Sequence, residues 1–147
     1  MKPGLMTMLV LDTDHMSMLE WGGEGSAVLR ERLADVAPDQ VATTIISYEE
    51  QIRGWMAYIA RAKSMAQQLE AYQRLRRHLE NYRQVPVLDF DELAAEEFQR
   101  LRRAKIRVGT MDLRIAAIVL SHGATLLSRN IVDFGKVPGL KVEDWIK

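Results

Sequence analysis

GTMDLRIAAIVLSHGATLLSRN, residues 109–130, is the stretch that decides the fold. Met111, Ile115, Ile118 and Val119 recur at the spacing of one helical face. Thr110 is expected to cap that helix, and Gly123 to end it. Thr125–Leu127 then reads as a short buried strand. A helix that passes straight into a buried strand is half of a βαβ unit, and the chain on either side repeats the alternation.

Towards the N-terminus, Asp91 caps a helix carrying Leu93, Ala94, Phe98 and Leu101, and Val85–Leu88 reads as a strand before it. Ala66 to Tyr82 is a long helix with Leu69, Tyr72, Leu75, Leu79 and Tyr82 on one side. A helix that starts at Ser47 and runs to about Lys63 precedes it, so the two form a helical hairpin. Val41–Ile46 is rich in β-branched residues and reads as a strand. Ser26 to about Val36 is a helix broken at Pro38-Asp39. Met8–Leu11 is the first strand, followed by a short helix, His15–Glu20, that Asp14 caps and Gly22-Gly23 stops. Towards the C-terminus, Leu140–Val142 is a fifth strand. Helices separate almost every strand pair. The expectation is therefore an α/β fold in three layers, with a central, mainly parallel twisted sheet covered by helices and a protruding helical hairpin. Residues 8–147 read as a single domain, with residues 1–7 as an N-terminal extension.

The chain has 147 residues, enough for one domain with a real core. Lys plus Arg and Asp plus Glu both number 20, so net charge points to neither a nucleic acid nor an acidic substrate. A balanced total still leaves room for an acidic pocket within a basic surface. No Cys is present, which excludes disulfides and thiolate zinc sites and suits a cytoplasmic location. His15, His78 and His122 are scattered and form no ligand motif. No apolar run approaches membrane-spanning length, and the N-terminal stretch does not read as a signal peptide.

Against this frame, acidic residues recur at one topological position. Asp12 ends MLVLD, Glu50 follows VATTIIS, Asp112 opens the helix of the deciding stretch, and Asp133 follows ATLLSRN. Each marks the exit of a strand or the mouth of a helix. In a parallel sheet those ends lie side by side and ligands bind there. Such a cluster needs something positive within it, and an all-oxygen set favours Mg²⁺ or Mn²⁺ over Zn²⁺. The pattern points to metal-assisted chemistry on a phosphate ester. Singly, each acid has a structural alternative. Asp12 and Asp14 suit turns or caps, Glu50 suits a capping box with Ser47, Asp112 suits the positive end of its helix, and Asp133 suits a turn through Asn130–Gly135.

VLDTDHMS from Val10, TIISYEEQIRG from Thr44, GTMDLRIAAIVL from Gly109 and LLSRNIVDFGKVPGLKVEDW from Leu126 resemble, in order, the motifs of PIN-domain ribonucleases, above all the VapC-type toxins of toxin–antitoxin pairs. The resemblance implies that Asp12, Glu50, Asp112 and Asp133 bind the metal and carry catalysis. Asp14, Thr110, Ser128 and Asn130 fall in supporting positions. It selects Glu50 over Glu49, because the family Glu lies four residues before a Gly, here Gly54. It further implies hydrolysis of RNA to 5′-phosphate and 3′-hydroxyl ends, an antitoxin partner and a homodimer.

The basic residues Arg74, Arg76, Arg77 and Arg83 read mostly as solvated helix surface. Arg103, Lys105 and Arg107 run directly into Gly109 and Asp112, and are candidates for RNA phosphate contacts. His15 is expected in a turn, Trp21 and Trp55 in the core or an interface, and Tyr58, Tyr72 and Tyr82 at partner contacts. Two other functions compete. Asp12-Thr13-Asp14 is also the spacing of a DxD phosphatase nucleophile, but such an enzyme needs a Lys and further acids after Ser128. A non-catalytic RNA- or protein-binding module would be expected to have lost some of the acids, and all four are present.

Overall fold

A computed structural model describes residues 7–146, so all of the expected N-terminal extension but Thr7 lies outside the described residues. The strands are β1 (Leu9–Leu11), β2 (Val41–Thr44), β3 (Val87–Leu88), β4 (Thr125–Leu127) and β5 (Lys141–Glu143). The helices are α1 (Thr13–Trp21), α2 (Ser26–Ala34), α3 (Ile45–Ala60), α4 (Met65–Tyr82), α5 (Glu92–Arg103), α6 (Thr110–Ser121) and α7 (Ile131–Phe134). A single 3₁₀ turn, Pro38–Gln40, leads into β2.

All strand pairings are parallel, in the order β3-β2-β1-β4-β5. The chain fills one side of β1 with β2 and β3, then returns to its other side for β4 and β5. The switch point therefore lies between β1 and β4, where an open α/β sheet leaves a crevice. Leu11 is level with Thr43 on one side and Leu127 on the other, so the residues that leave these strands emerge together.

Hydrophobic burial falls on both faces of the sheet. One core gathers Val10, Phe98, Leu101, Ile115, Ile118 and Leu126 beneath α5 and α6. The other gathers Leu11, Met16, Tyr82 and Leu127 beneath α1 and α4. The buried strands have apolar neighbours above and below, which is why they read as continuous apolar runs rather than alternating ones.

Several boundaries differ from the sequence reading. Asp12, not Asp14, is the N-cap of α1, and accepts a hydrogen bond from the Thr13 amide at 2.8 Å. The second strand stops at Thr44, and Ile45 and Ile46 belong to α3 despite their β-branched side chains. The α3 cap is Thr44, whose Oγ1 accepts from the Ser47 amide at 3.0 Å. Ser47 therefore lies inside the helix, and the expected Ser47–Glu50 capping box does not form. Gly109 rather than Thr110 occupies the N-cap of α6. The segment read as a turn after Asn130 is the short helix α7, with Asn130 as its cap.

The helical hairpin of α3 and α4 is anchored on α1. Asn81 Nδ2 donates to the Met16 carbonyl at 3.1 Å, and Arg77 to that of Glu20 at 2.7 Å. Tyr82, expected at a partner surface, is buried beside Tyr48 and His78 and donates to Gln51. Tyr72, on the same helix, is exposed.

Because Thr44 fixes where β2 turns into α3, and α3 carries Glu50, Thr44→Val should cost about 1 kcal/mol in a urea melt. Ser47→Ala keeps the capped amide and should cost less. The opposite ranking would return the cap to Ser47.

Candidate active site

The carboxylates meet at the C-terminal edge of the sheet. Asp12 leaves the central strand and is 7% exposed. Its Oδ2 accepts from Ser128 Oγ at 2.7 Å, which ties the end of β1 to the end of β4. Burial pushes its carboxyl up to about 7, against the lowering by Ser128, and nearby Asp14 and Asp112 push the same way. Ser128 Oγ also accepts from the Asn130 amide at 3.0 Å, so one hydroxyl joins the strand end to the α7 cap.

Glu50 lies one turn into α3. Its Oε1 accepts from Thr13 Oγ1 at 2.8 Å, bringing α3 against the start of α1. Glu49, next to it, instead pairs with Arg53 one turn on. Adjacent residues on a helix point about 100° apart, and these two use opposite directions. Thr13 is the residue that the sequence reading missed. Its hydroxyl follows Asp12 directly, but nothing local marks a partner 37 residues away.

Asp112 sits in the first turn of α6 and is partly buried. Burial raises its carboxyl above the usual range, and the charges of Glu50, Asp133 and Asp14 raise it further. Asn130 Nδ2 makes a long contact of 3.5 Å to Asp112 and donates to Asp133 at 3.2 Å. Asp133 is the outermost acid. Asn130 and Lys136 hold its carboxyl below the ordinary value. Asp14 accepts from the Arg129 amide at 3.1 Å and from His15 Nδ1 at 2.9 Å.

His15 is fully buried inside α1, not in a turn. Its Nε2 accepts from the Trp145 amide at 3.3 Å, so the ring braces Asp14 against the C-terminal strand and tail. Thr110 is exposed and makes no side-chain hydrogen bond among the described residues. Arg103, at the end of α5, and Lys105 and Arg107, on the connection to α6, are all exposed. Among the described residues none of them forms an ion pair with the acids.

The electrostatics have one sign. Among the described residues, the cationic or imidazole partners of these acids are His15, on Asp14, and Lys136, on Asp133. Asp12, Glu50 and Asp112 are held by hydroxyl, amide and backbone donors alone. Among the described residues no three His, Asp or Glu side chains close into a ready-made metal cage. Each acid is instead held by its own partner, Asp12 by Ser128, Glu50 by Thr13, and Asp112 and Asp133 by Asn130. An all-oxygen set with uncompensated charge is the chemistry of a hard divalent cation site.

The sequence profile of the PIN domain family matches residues 9–140. Among curated proteins, the chain is 35% identical over 63 residues to the tRNA(fMet)-specific endonuclease VapC of Salmonella typhimurium, covering 40% of this chain and 48% of that one. It is 43% identical over 42 residues to ribonuclease VapC1 of Rickettsia felis, covering 29% and 31% respectively. The chain thus spans at most about half the length of these relatives, 48% and 31%. Among solved structures, the DNA-bound VapBC of Salmonella typhimurium superposes with a TM-score of 0.71 at 26% identity, over 95% of this chain and 99% of that one. The promoter-bound VapBC2 of Rickettsia felis has the same TM-score, 0.71, at 21% identity, over 94% and 98%.

The raised Asp12 carboxyl sets a pH dependence. In the unfolded chain Asp12 ionises near 3.8, and in the folded protein near 7. Between those values the unfolded state has released a proton that the folded state keeps. Metal-free stability should therefore fall as pH rises through that window, by at most roughly 4 kcal/mol at 1.36 kcal/mol per unit. Melts of wild type and Asp12→Asn in EDTA from pH 4 to 8 test this. The variant should gain on wild type as pH rises, and parallel curves would refute the buried-charge account.

Proposed function

The chain belongs to the PIN domain family, and we propose that it is a divalent-metal-dependent endoribonuclease, the toxin of a toxin–antitoxin pair. The observation that carries the reading is the uncompensated charge shared by Asp12, Glu50 and Asp112 at the switch point of the sheet. The nuclease names of its relatives and the VapBC assemblies with its fold support the same reading. A phosphatase of the DxD type finds no support, because Asp14 is engaged by His15 and Arg129 rather than poised beside Asp12 as an acid.

Asp12, Glu50, Asp112 and Asp133 would hold the cation, with Mg²⁺ or Mn²⁺ preferred for an oxygen set. A divalent ion there would polarise the scissile phosphate and make water a competent nucleophile near neutral pH. The protein's own part is positioning. Ser128 orients Asp12, Thr13 orients Glu50, and Asn130 stands between Asp112 and Asp133. Asp14, braced by His15, holds the Arg129 amide and so the start of the loop that presents Asn130. Asp112 and Asp133 form the more exposed side, where a polyanion can approach. Thr110 has a supporting place at the start of the Asp112 helix. Arg103, Lys105 and Arg107 lie before that helix and offer cations to RNA phosphates.

A cognate antitoxin and a second copy of the chain are the proposed protein partners. Support comes from an apolar groove of about 350 Å³ between α3 and α4, lined by Tyr48, Ile52, Met56, Tyr72, Leu75 and Leu79. Apolar lining of this kind on a surface marks an interaction site. No described helix is long and apolar enough to cross a membrane. The cytoplasm is the compartment this function requires.

Glu50→Gln should reduce RNA cleavage at least ~100-fold, a loss of roughly 2.7 kcal/mol of transition-state stabilisation. Glu49→Gln should stay within a few-fold of wild type. The reverse ranking would place Glu50 outside the chemistry and Glu49 within it. EDTA should abolish cleavage, and Mg²⁺ or Mn²⁺ should restore it. Cleavage that survives EDTA would remove the metal mechanism.

A further inference from the structure

We propose that the groove between α1 and α3 is a track for single-stranded RNA, leading from the carboxylates to an aromatic platform of Trp21, Trp55 and Tyr58 on which a nucleobase stacks. The proposal rests on the nuclease reading and adds where the strand runs beyond the cut.

The two helices meet in a ladder that starts at the acids. Thr13 bonds Glu50 at 2.8 Å, Gln51 Nε2 donates to Ser17 at 2.6 Å, and the Trp21 and Trp55 rings lie 5.8 Å apart. Thr13, Ser17 and Trp21 are four residues apart, so the rungs rise about 6 Å each and the aromatic pair sits about 12 Å from the Glu50 rung. Above the ladder is an open groove of about 300 Å³ whose lining includes Ser17, Gln51, Gly54, Trp55 and Arg61. It begins polar and ends aromatic and cationic.

The glycine in its floor has no internal reason to be there. Gly54 lies mid-helix, and a Cβ built on it would meet nothing within 4 Å. Gly in such a place destabilises a helix relative to Ala. No close approach among the described residues demands it, so the space it leaves is space for something from outside.

The far end has the composition of a nucleic-acid platform. Trp21 is 40% exposed, and Tyr58 meets Trp55 edge-on at 5.7 Å. The Arg74 guanidinium lies 5.6 Å from the Trp21 ring and 5.3 Å from that of Tyr58. Arg61 lines the groove, and among the described residues it has no ion pair. The Arg77 guanidinium lies over the Trp21 ring as well, at 4.3 Å, and aromatic rings beside cations bind bases by stacking and phosphates by charge, without demanding a sequence. An apolar helix of a protein partner fits this surface poorly, since it would bury Ser17, Gln51 and Arg61. The apolar groove on the other side of α3, with Ile52 and Met56, suits it better.

The test is binding, read in EDTA with the full chain, so that no cleavage is needed. The probe is an oligouridylate of about a dozen nucleotides. Its addition should quench tryptophan fluorescence. Trp21→Ala and Arg61→Glu should each weaken binding by about 10-fold, and Trp21→Phe should recover most of the affinity. Gly54→Leu separates the track from mere stability. It should leave the melting temperature equal to wild type or higher, because Leu favours helix, while its side chain plugs the groove and weakens RNA binding by about 10-fold. RNA affinity unchanged in Trp21→Ala and Gly54→Leu overturns the proposal. So does loss of antitoxin binding with RNA affinity intact, which would assign the groove to a protein. A chain that binds RNA on this track yet cleaves nothing would sink the nuclease reading alone. One that cleaves but ignores these substitutions would sink the track alone.

Discussion

Everything at the switch point is arranged around one buried carboxylate. Asp12 leaves the central strand where water is nearly excluded, a position that costs a lone anion several kcal/mol. Two hydrogen bonds, from the Thr13 amide and the Ser128 hydroxyl, return part of that cost. They also do the structural work of the region. The first starts α1, and the second joins the ends of β1 and β4. The burial that they do not offset is what pushes the Asp12 carboxyl upward, with the charges of Asp14 and Asp112 adding to it. A neutral residue here would hold the strands together more cheaply.

The helix α3 shows how one element serves several surfaces. Its Glu50 and Gln51 face α1 through Thr13 and Ser17. Tyr48, Ile52 and Met56 turn towards α4 and line the apolar groove. Glu49 turns to Arg53. Helical geometry alone divides these roles, at 100° per residue. The chain can therefore offer a charged site, a polar-aromatic track and an apolar groove from sixteen consecutive residues.

The layers and strand directions were legible from the sequence because they depend on apolar periodicity, which is local. Thr125–Leu127 and Asp91 as a cap are where the sequence reading put them. The errors fall where a distant contact decides. Ile45 and Ile46 carry β propensity, yet a cap by Thr44 and burial of Ile46 beneath the sheet make them helical. Asp14 reads as the cap of the helix from His15, but the Arg129 amide and His15 claim it and Asp12 caps instead. The four-residue helix α7 is too short to show a period. Of the candidate site, the acids could be named from their shared position after strands. Which hydroxyl holds Asp12 and which holds Glu50 could not, because Ser128 and Thr13 reach partners far along the chain.

That distance has a consequence for how the protein is made. Ser128 and Asp12 are separated by 116 residues, and β4 lies directly against β1. A ribosome delivers β1 early, but its second neighbour emerges only after most of the chain has been synthesised. Until then Asp12 has no hydroxyl partner, and Asp112 and Asp133 have no fixed place beside it. Assembly of the acidic centre therefore waits on a long-range strand pairing of the kind that slows folding. A segment that stops short of α6 thus carries Asp12 and Glu50 without the hydroxyl and the α6 acid that stand beside them in the folded chain.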